Sequence, residues 1–199
     1  LGDWVLDTAL STLNEWVSDY KFDAIMSVNV SPVQLKKPDF FFNLKQKIKE
    51  YKIETSNLEL EITEGVLIDN KEDTINLLNQ IRQLGIGISL DDFGTGYSSL
   101  NYLHILPITT LKIDKSFIAN ITSKTGIEAN ITDSIVSMVS KMGLDTIAEG
   151  VERPEQFKIL KDINCKTVQG FLKGKPMDKG RCNKLLAGDK TALLTIENE

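Results

Sequence analysis

Residues 58–92 read LELEITEGVLIDNKEDTINLLNQIRQLGIGISLDD. Leu58, Leu60 and Ile62 alternate with Glu59 and Glu61, the period of a strand with one apolar face. Over about 71–84, Ile75, Leu78 and Ile81 fall on one face of a helix, and Gly85 stands where that helix should stop. Residues 86–90 alternate again, with Ile88 and Leu90 opposed to Ser89 and Asp91. Strand, helix and strand follow each other with short connections, which is the unit of a parallel sheet.

The same alternation runs outward in both directions. Upstream, the pattern predicts a helix over about 3–18, with Trp4, Ala9, Leu13, Trp16 and Val17 at helical spacing, a strand at 24–30 and a helix at 40–51. Downstream it predicts a short helix near 98–105, a strand at 110–113 and a long helix at 127–142. Ile131, Ile135, Met138 and Met142 form the stripe of that helix, and Gly143 lies behind it. A strand at 146–148 follows, then a helix opened by Pro154 and ending near Asn164, a strand at 167–171 and a closing helix at 178–186. Six strands alternating with helices, and no GxGxxG after the first, argue for an α/β barrel rather than a dinucleotide-binding sheet. A (β/α)8 barrel takes about 250 residues, so about six of eight βα units are expected here. Residues 1–188 read as one domain and 189–199 as a tail.

Composition narrows the function. The 199 residues are 41% hydrophobic and 26% charged, with a net charge of −5. That balance fits a soluble segment without membrane contact and speaks against wrapping a long nucleic acid. Cys165 and Cys182 lack metal-ligand spacing and are expected to be free thiols, as in a reducing, cytoplasmic compartment. With His104 the only histidine, a catalytic metal must take oxygen ligands, which favours Mg2+ or Mn2+.

Strand parity places Asn29, Glu61, Asp91 and Lys112 on a common side near the C-terminal strand ends, where barrel enzymes build their sites. Two readings stand. They are solvated strand ends, or they converge with Asp92 on a cation, since several clustered carboxylates are costly without one. The adjacent Asp91 and Asp92 suit two ions about 4 Å apart, the spacing used in phosphoryl displacement.

Six motifs make a resemblance specific: SVNVS at 27–31, ELEITEG at 59–65, DDFGTGYSSL at 91–100, LKIDKSFI at 111–118, AEGVE at 148–152 and QGF at 169–171. In order and spacing, over about residues 1–177, they resemble the EAL domain family. The resemblance implies a modified TIM (β/α)8 barrel with one antiparallel strand. It implies hydrolysis of cyclic-di-GMP to linear pGpG with two Mg2+ or Mn2+ ions. By resemblance, Asn29, Glu61, Asp91 and Asp92 are metal ligands, and Asp91 and Gln169 border the substrate. Lys112 stands near the attacking water and the scissile phosphate. Glu149 is a general base or metal partner, Glu152 and Gln169 support the site from outside, and Glu64 holds the Gly-rich loop. Gly94 and Gly96 give that loop its freedom, Tyr97, Ser98 and Ser99 cap the next helix, and the region couples to a homodimer interface.

The Glu-Ala-Leu signature that names the family is not among these residues. The resemblance places it upstream of Leu1, on a strand that supplies a further metal carboxylate and a substrate-contacting arginine. The 199 residues alone are then expected to turn substrate over weakly or not at all. A sensor or GGDEF domain is expected upstream, and the full-length protein can carry a membrane anchor. Thr109 and Thr110 stand where the family often has an aspartate, and Phe171 lacks the hydroxyl of the usual tyrosine, which bears on guanine contact. A non-cleaving cyclic-di-GMP receptor is the alternative. A kinase reading of Asp92-Phe93-Gly94 lacks its companion motifs, and a purely structural domain leaves the carboxylates without a purpose.

Overall fold

A computed structural model describes residues 1–67, 71–94, 103–123 and 126–189. Gly96, Tyr97, Ser98, Ser99, the start of the helix predicted at 98–105 and residues 190–199 of the tail lie outside the described residues. Six parallel strands form one sheet in chain order. They are β1 (Met26–Asn29), β2 (Leu58–Thr63), β3 (Gly87–Phe93), β4 (Thr110–Ile113), β5 (Asp145–Ala148) and β6 (Thr167–Val168). The helices are α1 (Gly2–Tyr20), α2 (Pro32–Leu35), α3 (Phe40–Glu50), α4 (Lys71–Gln83), α5 (Lys115–Ala119), α6 (Ile127–Lys141), α7 (Pro154–Asp162) and α8 (Lys179–Leu186). This is the wall of an α/β barrel with six βα units, as expected. The antiparallel strand implied by the resemblance is not among the described strands.

The parity of the strands sorts the residues into two layers. Val28, Leu60, Ile62, Ile88, Leu90, Leu111 and Ile113 are buried in one apolar core with Leu10 and Leu13 of α1, Leu44 of α3 and Leu78 and Ile81 of α4. The opposite face is polar. Its Glu59 on β2 reaches Thr110 on β4, with β3 between them. Flat strands two apart stand about 10 Å from each other, so this face is concave and forms the barrel interior. Among the described residues no helix is long and apolar enough to cross a membrane.

Three expectations are corrected. On α6 the buried residues are Thr132, Val136 and Val139, whereas Ile131 and Met142 are 42% and 38% exposed. Thr132 can be buried because its hydroxyl donates to the Glu128 carbonyl at 2.8 Å, within the helix. On α1, Leu6, Leu10 and Leu13 are buried while Trp4 and Val17 are exposed. β6 ends at Val168, and Phe171 is exposed. The chain must turn at Gly170, where a Cβ would stand 2.2 Å from the Val151 carbonyl oxygen. α2 and α5 are too short to leave a periodic signal. Each is held by a side-chain cap, Ser31 accepting from the Gln34 N–H and Asp114 from the Ser116 N–H.

Candidate active site

Lys112 sits on β4 with its side chain 3% exposed, facing the barrel interior. Its Nζ lies 3.0 Å from Glu61 Oε2 on β2, 3.0 Å from Asp91 Oδ1 on β3 and 2.7 Å from Glu149 Oε1 just after β5. Strand alternation delivers all of these. Glu61 is in register with Ser89, two residues before Asp91, and Lys112 with Ile147, two residues before Glu149. The ammonium donates a hydrogen bond to Glu61 Oε2. Asp91 Oδ1 is close but not aligned for a bond, and it is buried without any other hydrogen-bond partner.

Regular alternation would turn Asp92 away from Asp91. The β3–β4 register shifts between Leu90 and Phe93, and Asp92 has φ 57°. Such a bulge re-aims a side chain, and aspartate tolerates the left-handed region better than most residues. As a result Asp91, Asp92 and Glu149 each bring a carboxylate oxygen within 4.8 Å of the others. Three carboxylates, Glu61, Asp91 and Glu149, thus surround one ammonium, with Asp92 beside two of them, an excess of negative charge that a cation would offset. Burial pushes the Glu149 carboxyl up; Lys112 pulls it down, and Asp91 and Glu61 add to the upward push. Burial acts to lower Lys112, but its close pairing with Glu149, Glu61 and Asp91 outweighs this and holds it above its ordinary value. An all-oxygen donor set with a surplus of charge and an under-bonded Asp91 oxygen fits a hard divalent ion.

The remaining predicted residues stand around this centre. Asn29 is exposed on β1, beside Glu61 in the register. Glu64 Oε1 accepts from the Gly94 N–H at 3.4 Å, a link from the turn at Glu64–Leu67 to the start of the Gly-rich loop. Glu152 is exposed, and its backbone N–H donates to buried Gln156, which ties that loop to the Ile118 carbonyl. Gln169 is exposed at the end of β6, with its N–H on Ala148 and its carbonyl accepting from Val151. These four surround the Lys112 cluster rather than join its ion pairs. Cys165 and Cys182 are both free thiols, and burial pushes Cys165 up. Sequence reasoning missed Gln156 and a polar layer below Lys112, formed by the buried Glu59 and Thr110 with the exposed Ser27. Only Glu59's place on the polar parity of β2 hinted at the latter.

Known proteins share this arrangement of elements. The protein MucR of Pseudomonas aeruginosa, named a bifunctional diguanylate cyclase/cyclic di-GMP phosphodiesterase, is 37% identical over 177 residues, 89% of this chain and 26% of its own length. The solved MucR phosphodiesterase in complex with c-di-GMP superposes with a TM-score of 0.84 at 36% identity, over 91% of this chain and 73% of that one. The EAL domain of Mycobacterium smegmatis DcpA gives a TM-score of 0.89 at 36% identity, over 95% and 85%. The chain spans about a quarter of the length of the curated relatives it matches. The sequence profile of the EAL domain matches residues 1–176, and the chain belongs to the EAL domain family.

Proposed function

We propose that this chain is the catalytic region of a cyclic-di-GMP phosphodiesterase that opens one phosphodiester bond to give linear pGpG. The observation that carries this reading is Lys112 buried among Glu61, Asp91 and Glu149, with Asp92 turned toward Asp91 and Glu149. Asn29, Glu61, Asp91 and Asp92 would hold two ions, Mg2+ or Mn2+. Ions bound there would supply Lewis-acid stabilisation of the phosphate and lower the pKa of the attacking water. Lys112, held protonated by its three carboxylates, offsets the negative charge that grows on the phosphate oxygens. Glu149, whose carboxyl burial pushes up, accepts the proton of the water, and the sugar oxygen leaves phosphorus on the opposite side. Asp91 and Gln169 border the substrate. Glu64 and Glu152 fix the loops that carry Gly94 and Glu149.

The chain works as a homodimer in the cytoplasm, within a longer protein that has a sensor or GGDEF domain upstream. The exposed apolar face of α6, where Ile127 and Ile131 flank a recess floored by Phe93, supports a partner on that side. Light scattering showing a strict monomer with and without ligand would count against the dimer.

The test is chromatography of cyclic-di-GMP incubated with this chain, and with the chain extended upstream, in Mg2+ or Mn2+. Linear dinucleotide from at least the extended form is expected, and chelation should stop it. Bound but uncleaved dinucleotide in both forms would replace the enzyme by a receptor.

A further inference from the structure

A second polar layer lies below the Lys112 centre, one pleat further into the barrel. Glu59 on β2 is 4% exposed. Its Oε1 accepts from Ser27 Oγ on β1 at 2.9 Å, and its Oε2 accepts from Thr110 Oγ1 on β4 at 2.8 Å. One carboxylate on β2 therefore links β1 beside it to β4, two places away on the other side. The crossing over β3 is open because its residue in register with Glu59 is Gly87. A Cβ there would stand 3.2 Å from Glu59 Cγ and 3.4 Å from Oε2.

The layer above repeats the construction. Glu61 on β2 reaches Lys112 on β4 at 3.0 Å, passing over Ser89, which is small and fully buried. Glu59 precedes Glu61 by two residues and Thr110 precedes Lys112 by two, so the same pair of strands is bridged twice on one face. Barrel interiors are normally filled by bulky branched residues, and a buried ionic group is often replaceable by an apolar one without loss of stability. A carboxylate with both oxygens bonded therefore points to geometry rather than to bulk stability.

We propose that Glu59 is a positioning residue. With Ser27 and Thr110 it fixes the span between β2 and β4, and so sets where Lys112 Nζ stands among Glu61, Asp91 and Glu149. The inference rests on the reading of that centre as catalytic.

The test uses Glu59→Leu, Glu59→Gln and Thr110→Val. Thr110→Val removes one bond of the bridge with little change of shape. In lysine-labelled, metal-free protein, the buried Lys112 ammonium is followed by NMR and identified by its absence from Lys112→Arg. Glu59→Leu and Thr110→Val are expected to shift or broaden that signal, and Glu59→Gln, which keeps both bridging bonds, to preserve it. In turnover of the upstream-extended chain with Mn2+, Glu59→Leu should lower kcat about tenfold or more while KM changes little, since an ångström of misplacement costs up to about 10²-fold. Glu59→Gln should recover most of kcat. An unchanged Lys112 signal and kcat in Glu59→Leu, with only a lower Tm, would overturn the proposal. If the wild type forms no product even when extended upstream, the catalytic reading fails, and the ammonium signal alone decides whether Glu59 places Lys112.

Discussion

Lys112→Met removes the ammonium that pairs with Glu61, Asp91 and Glu149 while keeping most of the length of the side chain. Breaking a buried ion pair from one side costs about 3–5 kcal/mol, because the remaining charge stays buried without its counter-charge. The cost belongs at this scale because Lys112 is 3% exposed and pairs with Glu61, Asp91 and Glu149 within 3.0 Å. For a domain of this size, 1 kcal/mol moves Tm by about 2–4 °C, so the metal-free variant should melt about 6–20 °C below the wild type. The assay is thermal unfolding in chelator at pH 8, repeated at pH 5.5 and again with millimolar Mn2+. At pH 5.5 the loss should shrink, because Glu149, already pushed up by burial and by Asp91 and Glu61, takes up a proton when Lys112 is gone. Mn2+ should stabilise the variant more than the wild type, since the ions then supply the missing positive charge. Equal Tm values for variant and wild type in chelator would refute the assignment of Lys112 as the buried counter-charge of the site.

Three further outcomes are expected. The folded-state pKa of Glu149 is raised, so its contribution to stability is fully present below its unfolded value of about 4.3 and is lost as pH rises through the folded value. Metal-free protein should lose stability across that window, and Glu149→Gln should flatten the loss; an unaltered pH profile of urea unfolding would contradict this. Glu61→Gln should weaken Mn2+ binding in calorimetry, and an unchanged affinity would remove Glu61 from the ligand set. Gly170→Ala should cost about 1–3 kcal/mol in urea unfolding, because the new Cβ would meet backbone atoms of Val151 that cannot swing aside; a neutral result would show that the loop after β6 can shift.

The fold was legible where one local rule decides it. The bounds of β4 are legible to the residue, because Leu111 and Ile113 alternate with Thr110 and Lys112 between clear breaks. The stops at Gly85 and Gly143, with φ 89° and 76°, followed from the freedom of glycine in the left-handed region. Which side of α6 meets the sheet was not legible. Its apolar residues cover more than one face, and a threonine whose hydroxyl bonds within the helix is as acceptable in the core as an isoleucine. For the site, parity alone brought Glu61, Asp91 and Lys112 to one place. Glu149 needed the family motif, since an acid before a glycine otherwise reads as a loop residue. The turning of Asp92 toward Asp91 depends on a bulge, and the burial of Glu59 depends on hydroxyls 32 and 51 positions away. Neither leaves a local trace in the sequence.

The central claim is that the carboxylates around Lys112 hold divalent ions that a cyclic dinucleotide joins. Calorimetric titration of Mn2+ into the metal-free chain, with and without saturating cyclic-di-GMP, tests it independently of turnover. The dinucleotide should tighten Mn2+ binding, Mn2+ should tighten the dinucleotide by the same factor, and Asp91→Asn should abolish the coupling. Mn2+ binding that is indifferent to the dinucleotide, or that survives Asp91→Asn unchanged, would contradict it.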